Sequence, residues 1–457
     1  MAAACVGLTL AGLTSTANAA CPAAAGDCKE LASTGSLGAR IDLVILGDGY
    51  TEAEKDKFYS DAQKVSEGLL GSETYGAYAP VFNSWALFTP SAESGADDPS
   101  AGKFVSTAFD ASYDTSGIDY LLAVNYSKAL SEVNKRFPEK DVTLCIVNAT
   151  AYGGSGGPVA VVSLHQSSLE IARHELGHTL AGLADEYTAP YPGYPDGDPE
   201  PNVASAAHLD PLKWASWLTP GVSIPTPISD AKSEHDPIGA YEGARYKETG
   251  VFRPAPDCLM RALDVTFCPV CSEAMVLEFS RLSLLIDAPS PASPGAIPGE
   301  GASVFSATIP ALADLMITWS IDGQPTQTGS DKLAIDPSKL GLADGPHTVE
   351  LKVYDATPLV REDPEGVMTE TFTWSITVDS TLPPAMGTGG AGGAGAGGGG
   401  AGGAGAGGGG AGGGGGGSDD GCGCRAAGSS AGDDGGASWL WLALGAGVAM
   451  RRRRRRS

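Results

Sequence analysis

Short apolar runs alternate with amphipathic stretches along the first half of the chain. The run at 41–46 is β-rich and almost wholly apolar, which is typical of a strand buried on both faces. Similar runs predict further strands at 81–89, 120–124, 142–147 and 158–163. Because helical spacing separates several of these runs, the pattern predicts a layered α/β domain.

Two amphipathic stretches predict helices that pack on these strands. Thr51 and Glu54 have the spacing of a capping box, which predicts the start of a helix. The apolar positions that follow recur at intervals of three or four residues: Phe58, Ala62, Val65 and Leu69. A second helix is predicted near 127–136.

A third helix is predicted to begin near Ser167. Ser167 and Glu170 again have capping-box spacing, and Gly182 is a typical C-terminal break. The apolar stripe of this helix consists of Leu169, Ala172, Leu176, Leu180 and Leu183. At roughly 100° per residue, His174 lies about 200° from Leu176. The polar face of the helix is therefore separate from its packing face.

The polar face carries His174-Glu175-Leu176-Gly177-His178, which matches the H-E-x-x-H pattern. Histidines four residues apart project from the same face of a helix, so both imidazoles can bind one metal ion. A glutamate beside them can accept a proton from water. The pattern therefore predicts a catalytic Zn²⁺ site. The alternative is an ordinary core helix with two polar residues.

A catalytic zinc usually has three protein ligands plus water, so a third ligand is needed. Asp185 is the first candidate, because Gly182 allows the chain to turn back towards the metal within a few residues. Glu186 is the second candidate. His208 and His235 are weaker candidates, since a lone distant histidine is more often structural.

The segment at 153–157 has the formal G-x-S-x-G pattern around Ser155. A nucleophile elbow needs a strand before the serine and a helix after it, whereas a strand pattern follows residue 157. A serine hydrolase is therefore disfavoured. The segment instead predicts a glycine-rich turn entering an edge strand, which could hold an extended peptide by main-chain pairing beside the metal.

The pattern changes after residue 285. Residues 286–380 contain short β-rich segments separated by turns such as 322–323 and 344–345. A stretch of about 90 residues with this pattern predicts an all-β immunoglobulin-like sandwich. The predicted fold is thus an α/β (α+β) catalytic domain at 21–285 followed by this sandwich.

Both ends of the chain have the composition of processing segments. Residues 1–20 are small and apolar and predict a secretory signal peptide. Residues 381–420 are Gly-rich and predict a flexible linker. Residues 421–457 contain two cysteines, a short apolar run and a block of six arginines at 451–456. They resemble a myxobacterial C-terminal surface-sorting tag with a short transmembrane helix, which predicts export to the cell surface, outer membrane or medium.

Charge and cysteine content refine this description. The formal net charge of −25 disfavours contact with polyanions, so nucleic-acid binding is excluded. Export permits disulfides, and Cys21 with Cys28 is a plausible local pair. Four further cysteines form an even set with three possible pairings: Cys145, Cys258, Cys268 and Cys271. A metal knuckle at 268–271 is the disfavoured alternative, because only Cys258 lies nearby as a further thiolate.

Seven segments in chain order resemble the IgA-peptidase family of bacterial zinc metallopeptidases. They are ILGDGYTEAE (45–54), FNSWALFTPSAESG (82–95), YGGSGG (152–157), HELGHTLAGLADEY (174–187), YEGARY (241–246), FRPAPDCLMR (252–261) and FCPVC (267–271). The resemblance covers residues 40–285 and implies a metzincin-like zincin fold and zinc-dependent peptidase activity.

The resemblance also implies roles for individual residues. His174, His178 and Asp185 would bind zinc, Glu175 would be the general base, and Met260 would lie beneath the metal in a Met-turn. The alternative for Met260 is plain core packing. In the usual metzincin pattern the third ligand follows the second histidine by six residues, whereas Asp185 follows His178 by seven. The choice between Asp185 and its neighbour at 186 therefore stays open.

The expected activity is hydrolysis of peptide bonds in a protein or peptide substrate. Tyr187, Tyr241 and Tyr246 are candidates for stabilising the oxyanion, and Tyr246 is retained as the possible stabiliser. Two other classes of protein remain open: a non-catalytic surface adhesin on a zincin scaffold, and a metal-dependent amidase. Membrane contact is expected only through the C-terminal tag.

Overall fold

The computed structural model describes residues 21–191 and 194–385. The predicted signal peptide at 1–20, the linker from residue 386 onward and the sorting tag at 421–457 lie outside the described residues. Within the described ranges, no helix has both the length and the apolar character needed to cross a membrane.

A six-stranded sheet forms the centre of the N-terminal part. Its strands are β1 (Cys28–Ala32), β2 (Ile41–Asp48), β3 (Phe82–Leu87), β4 (Val142–Val147), β5 (Gly154–Ser155) and β6 (Ala160–Ser163). Their order in the sheet is β1-β3-β2-β4-β6-β5. The four inner strands are parallel, and the edge strands β1 and β5 are antiparallel to their neighbours.

Helices cover both faces of this sheet. They are α1 (Lys55–Leu70), α2 (Glu73–Ala77), α3 (Tyr126–Arg136), α4 (Ser168–Ala181) and α5 (Pro269–Leu282). In β2, Ile41, Leu43 and Ile45 pack in one cluster with α1, α4 and α5. Val44 and Leu46 pack in a second cluster with α3. This burial on both faces explains why β2 is apolar almost throughout.

The predicted start and packing face of α1 are confirmed. The Thr51–Glu54 capping box is present, and the helix is preceded by a 3-10 turn at Glu52–Glu54. All the predicted apolar positions are buried: Phe58, Ala62, Val65 and Leu69. Local periodicity was sufficient here because this helix lies directly on the sheet.

Two local predictions are wrong. Residues 120–124 form no strand. Leu122 and Val124 pack into the cluster on the α3 face of the sheet, and only isolated bridges form in this segment. The capping box at Ser167 and Glu170 is also absent: Ser167 makes no side-chain cap bond. Its backbone has φ −90° and ψ 15°, outside the extended region that an N-cap residue usually adopts.

A small sheet follows α4. Its strands are β7 (Ala204–Ser205), β8 (Tyr241–Ala244) and β9 (Lys247–Arg253), with β9 in the centre. Between the paired ends of β8 and β9, Arg245 and Tyr246 both have positive φ, 55° and 61°. This tight turn projects towards the end of α4, where Arg245 N–H donates to Asp185 O.

The C-terminal part of the described chain consists mostly of strands. They are β10 (Asp287–Ser290), β11 (Ala296–Pro298), β12 (Ser303–Thr308), β13 (Leu315–Ile321), β14 (Gln324–Thr328), β15 (Lys332–Ile335), β16 (Gly345–Asp355) and β17 (Thr369–Asp379), with one short helix, α6 (Pro337–Leu340). They form sheets of three and five strands that share one buried cluster around Trp319 and Trp374. The mixed α/β architecture is thus confirmed, and the immunoglobulin-like and metzincin-like assignments stay predictions.

The two parts pack against each other through polar contacts and through Met368, which is buried in the cluster formed by α1, α4 and α5. Tyr78 OH donates to Asp355 Oδ2 at 2.6 Å in a buried position. Arg361 lies over the ring of Trp217, 4.0 Å from its centroid, and the Arg361 N–H donates to Glu273. The described residues accordingly belong to one compact unit ending at Ala385.

The cysteines differ from the prediction. The predicted Cys21–Cys28 disulfide is confirmed. The predicted disulfides within the other set are wrong, because all four of its members are free thiols. Cys145 lies in the cluster on the α3 face of the sheet, whereas the other three pack on the opposite face: Cys258, Cys268 and Cys271. The central sheet therefore separates Cys145 from them.

Candidate metal centre

Helix α4 carries the residues of the H-E-x-x-H pattern on its polar side. His174 and His178 are one turn apart, with ring centroids separated by 4.9 Å. The other side of the helix is buried in the core through Ala172, Leu176 and Leu180. The packing face fixes the helix on the sheet and leaves the histidines free to meet a third group.

A left-handed glycine brings that third group back. Gly182 has φ 59°, and its N–H points to the carbonyl oxygens of Gly177 and His178. Glycine adopts this conformation more readily than other residues, so the predicted break at Gly182 is confirmed. The chain then returns along the helix end and places Asp185 beside His174.

Three potential ligand atoms converge at this point. His174 Nε2 lies 2.9 Å from Asp185 Oδ1 and 3.2 Å from His178 Nε2. His178 Nε2 lies 3.4 Å from the same carboxylate oxygen. A tetrahedral ion bound at about 2.0–2.1 Å separates neighbouring ligand atoms by about 3.3–3.4 Å. The spacing of the three atoms therefore fits a metal site.

Hydrogen bonds of the outer ring nitrogens determine what the inner ones offer. His174 Nδ1 lies 2.9 Å from Leu259 O, and His178 Nδ1 lies 2.6 Å from Leu183 O. Because a carbonyl oxygen only accepts, each Nδ1 carries the hydrogen. In the neutral imidazoles each Nε2 then presents a lone pair towards the carboxylate of Asp185. Converging lone pairs of this kind fit a cation. The hydrogen bonds from each Nδ1–H to a carbonyl oxygen are of the type that orients metal-binding histidines.

Electrostatics also favour positive charge at this point. Burial lowers the pKa of His178, but Asp185 outweighs burial and raises that pKa to about 9. Burial would raise the pKa of Asp185, but the two histidines hold it well below its ordinary value. Burial raises the pKa of Glu175 against the opposing effect of the histidines. Protons and a metal ion would therefore compete for the histidines.

The structure separates the candidates for the third ligand. Asp185 faces the histidines, whereas the Glu186 carboxylate points into a neighbouring buried cluster beside Asn202. His208 pairs with Asp198, and His235 Nε2 lies near the carbonyl oxygen of Thr266. None of these three side chains belongs to the group around His174.

Tyrosine side chains surround the Asp185 carboxylate. Tyr246 OH donates to Asp185 Oδ2, the oxygen that does not face the histidines. Burial, followed by the charge of Asp185, raises the pKa of Tyr246, so this hydroxyl stays a neutral donor. The ring of Tyr187 packs at 5.3 Å from that of Tyr246. Tyr241 is separate, because its hydroxyl donates to the carbonyl oxygen of Pro237.

Sequence reasoning missed part of this aromatic group. The rings of Tyr191 and Tyr194 lie 5.4 Å and 4.4 Å from the ring of Tyr246. Arg245 lies over Tyr194, 4.6 Å from the ring centroid. Both tyrosines lie in the loop at 190–201, whose Pro- and Gly-rich composition predicts no regular element. The repeated tyrosines within this loop could have indicated an aromatic group.

The Met260 segment supports the helix from below. A Cβ atom on Gly177 would lie 3.0 Å from Met260 Sδ, so the methionine packs directly against the glycine of the motif. Met260 O accepts a hydrogen bond from Glu186 N–H at 2.7 Å, and Leu259 O faces His174. The segment thus contacts both the metal-site helix and the returning chain.

Edge strand β5 lies on the open side of the motif. A Cβ atom on Gly154 would lie 3.1 Å from Glu175 Oε1, and one on Gly156 would lie 2.6 Å from His178 Cβ. Only glycine allows an approach this close. Ser155 Oγ donates to Leu122 O at 2.7 Å and is buried, which agrees with the rejection of a nucleophilic serine.

Comparison with models of known protein families gives a match. The family model described as IgA Peptidase M64 matches residues 29–236 and 228–279, which together span more than half of the chain. The matched region contains the central sheet, α4 and the Met260 segment. No curated protein matches the chain.

Proposed function

The chain belongs to the IgA peptidase M64 family of metallopeptidases, and from this premise we propose that it is a zinc-dependent endopeptidase. The observation that carries the proposal is the convergence of His174 Nε2, His178 Nε2 and Asp185 Oδ1 within 3.4 Å of one another. Membership of the family supports a peptidase that acts on proteins or peptides. The identity of the metal and the internal position of cleavage are part of the proposal.

Zinc is the metal we propose for this donor set. Two imidazole nitrogens and one carboxylate oxygen leave a tetrahedral ion one open position, which is the pattern of a catalytic zinc site. When bound, zinc would supply a Lewis acid that polarises the scissile carbonyl and acidifies water. His174, His178 and Asp185 would hold the ion, each oriented by a second hydrogen bond.

Glu175 is the proposed general base. Its carboxylate lies at the histidine pair, with Oε2 4.0 Å from His178 Nε2, and its side chain is only 12% exposed. Burial raises the pKa of Glu175, which makes the carboxylate a better proton acceptor. Glu175 would take the proton of the attacking water and transfer it to the nitrogen of the leaving amine.

Tyr246 has two proposed roles that differ in their consequences. Its hydrogen bond to Asp185 Oδ2 supports a role in orienting the third ligand. The oxyanion-stabilising role expected from sequence would require the hydroxyl to move to the substrate carbonyl. The ligand-orienting role is the one that the hydrogen bond supports.

The proposed substrate is an extended peptide bound along β5. β5 is the outermost strand of the central sheet, and apart from an isolated bridge between Gly154 and Leu121 its outer edge pairs with no other described strand. The glycines of this segment bring its backbone against Glu175 and His178. An extended chain paired with this edge would pass its carbonyl groups across the metal site. Such binding needs no free peptide terminus, which supports internal cleavage.

Export remains a proposal based on the ends of the sequence. The signal-peptide pattern at 1–20 and the tag-like segment at 421–457 support passage to the cell surface or the medium. Both segments lie outside the described residues. The amidase and adhesin alternatives have no specific observation in their favour.

Metal removal tests the proposal directly. The full chain is treated with a zinc chelator, freed of it, and assayed on denatured casein with and without added Zn²⁺. We expect hydrolysis to disappear with the metal and to return when Zn²⁺ is added, with internal fragments identified by mass spectrometry. Added Mg²⁺ serves as a matched control that should restore nothing. Full activity in metal-free protein, or release of terminal residues alone, would contradict the proposal.

A further inference from the structure

A second group of metal-binding side chains lies directly behind the candidate catalytic site. Its members are Glu186, Cys258, Cys268 and Cys271, and their ligand atoms all lie within 4.8 Å of one another. All four residues are buried, and the three cysteines are free thiols. The group has no part in the hydrolytic mechanism proposed above.

The distances within this group fit a tetrahedral ion. Cys258 Sγ lies 3.6 Å from Cys271 Sγ, and Cys271 Sγ lies 3.4 Å from Glu186 Oε1. An ion with zinc–sulfur distances of about 2.3 Å places two sulfur ligands about 3.8 Å apart and a sulfur and an oxygen ligand about 3.6 Å apart. The thiols are therefore already arranged at nearly the separation that zinc requires.

The buried carboxylate of Glu186 has an unused acceptor. Its Oε1 accepts from Asn202 Nδ2 at 2.9 Å, but its Oε2 has no hydrogen-bond partner in the described structure. Arg253 is a cationic neighbour, yet both of its Nη atoms donate to backbone carbonyl oxygens. A buried carboxylate oxygen without a partner is costly, and a bound cation would satisfy it.

The start of α5 places positive partial charge beside the buried cysteine sulfurs. Cys268 is the N-cap of α5, and Pro269 occupies the first turn, so Cys268 and Cys271 stand at the positive end of the helix. The Cys268 N–H also donates to Cys258 Sγ at 3.2 Å. These contacts favour the thiolate form that binds a metal, whereas burial raises the pKa of Cys258 and Cys271 and opposes it.

We propose that Glu186, Cys258, Cys268 and Cys271 bind a structural zinc ion, separate from the catalytic one. Four protein ligands close the coordination sphere, which leaves no position for substrate. The three thiols would lose their protons when the ion binds, and these protons would pass to solvent. The alternative of a Cys258–Cys271 disulfide would leave Cys268 as an odd thiol and leave Glu186 Oε2 without a partner.

The ion would hold together two segments that support the catalytic site. Glu186 directly follows Asp185, and Cys258 directly precedes Leu259, whose carbonyl oxygen faces His174 Nδ1. Glu186 N–H also donates to Met260 O. A tether between these segments would fix the third ligand and the histidine-orienting carbonyl relative to each other.

The test counts zinc ions in the full chain. Native mass spectrometry on protein prepared with zinc should find two ions in the wild type. The His174→Ala/His178→Ala double variant should retain one, because its cysteine group is intact. Cys268→Ser should lose one ion, and Cys145→Ser, a matched control with a buried cysteine on the other face of the sheet, should keep both.

Cobalt substitution identifies the ligands without a cysteine variant. The Co²⁺-loaded double-histidine variant should show the sulfur-to-cobalt charge-transfer absorption that only thiolate ligands produce. Absence of both zinc and this absorption in that variant overturns the proposal, whether its intact mass reveals a disulfide or three free thiols. If the wild type binds one ion and the double-histidine variant still binds it, the structural zinc is supported and the catalytic zinc site is overturned.

Discussion

At the scale of single residues, the candidate site depends on hydrogen bonds that fix the orientation of each metal-binding side chain. Leu259 O and Leu183 O hold the two imidazoles, and Tyr246 OH holds the far oxygen of Asp185. Each inner atom then points to one place. The chemistry of the site therefore depends on residues outside the H-E-x-x-H motif as much as on those within it.

The Tyr246→Phe substitution tests this dependence. It removes the donor to Asp185 Oδ2 and keeps the ring that packs among the other tyrosines. We expect zinc affinity, measured by competition with a chelating dye, to fall by about 10–100-fold. Tyr241→Phe is the matched control, since its hydroxyl contacts Pro237 O instead. Unchanged affinity with a rate reduced by about 10²–10³ would favour the oxyanion role and contradict ligand orientation.

The sequence predicts the two histidine ligands but not which acidic residue is the third, and the reason is physical. Histidines four apart on an amphipathic helix share a face whatever surrounds them, so His174 and His178 were predictable. Asp185 and Glu186 are neighbours in a non-helical segment, and the sequence does not reveal which side each carboxylate faces. Tertiary contacts decide this, through Tyr246 on one side and Asn202 on the other.

At the scale of elements, the left-handed end of α4 connects the helix to the third ligand. Gly182 has φ 59°, and a Cβ atom there would meet nothing within 4 Å. The need for glycine is therefore conformational and not steric. Replacement should affect the backbone energy of this turn without disturbing packing.

We predict that Gly182→Ala lowers the free energy of unfolding by about 1–2 kcal/mol, the approximate cost of a left-handed conformation for a residue with Cβ. Urea unfolding followed by circular dichroism measures this change. Gly182→Asn is the control, because asparagine tolerates the left-handed region and should lose less. Equal losses in the two variants would show that the turn conformation is not the cause.

A second element-scale prediction concerns the turn between β13 and β14. His347 Nδ1 lies 2.6 Å from Asp322 Oδ2, and this hydrogen bond, with the carbonyl of Ala343, raises the pKa of His347. The charged imidazole therefore contributes stability that is complete below its ordinary pKa of about 6.5 and is lost as the pH rises through the raised value. The same contact lowers the pKa of Asp322, so its contribution is lost only under acid conditions.

The measurement is the difference in Tm between the wild type and His347→Gln as a function of pH. We expect the difference to be largest near pH 6 and to shrink towards pH 9, since the histidine is then neutral in both states. Asp322→Asn should weaken this pH dependence and leave only the effect of the Ala343 carbonyl. A difference that grows with pH would contradict the assignment of the charged pair.

Element prediction succeeded where the local pattern and the environment agreed. β2 and α1 have the periodicity of elements packed on the central sheet, and both were predicted. Residues 120–124 have a similar apolar content but pack as an irregular layer over the sheet, so a strand was predicted wrongly. Ser167 has the right neighbour for a capping box but the wrong backbone conformation.

At the scale of the whole molecule, the sheets after residue 286 contact the catalytic part through specific polar groups. The buried Tyr78–Asp355 hydrogen bond and the Arg361–Trp217 contact join residues more than a hundred positions apart in the chain. No local pattern reveals such pairs, so sequence predicted the elements but not their docking.

The central claim is that Glu175 is the general base of a zinc peptidase. The most direct measurement determines hydrolysis and zinc content on the same preparation of Glu175→Gln, which keeps the size of the side chain and removes its basicity. The wild type and Glu67→Gln, the same change at an exposed position of α1, serve as controls. We expect the catalytic equivalent of zinc to be retained and the rate of hydrolysis to fall by at least about a hundredfold. Wild-type hydrolysis by zinc-loaded Glu175→Gln protein would contradict it.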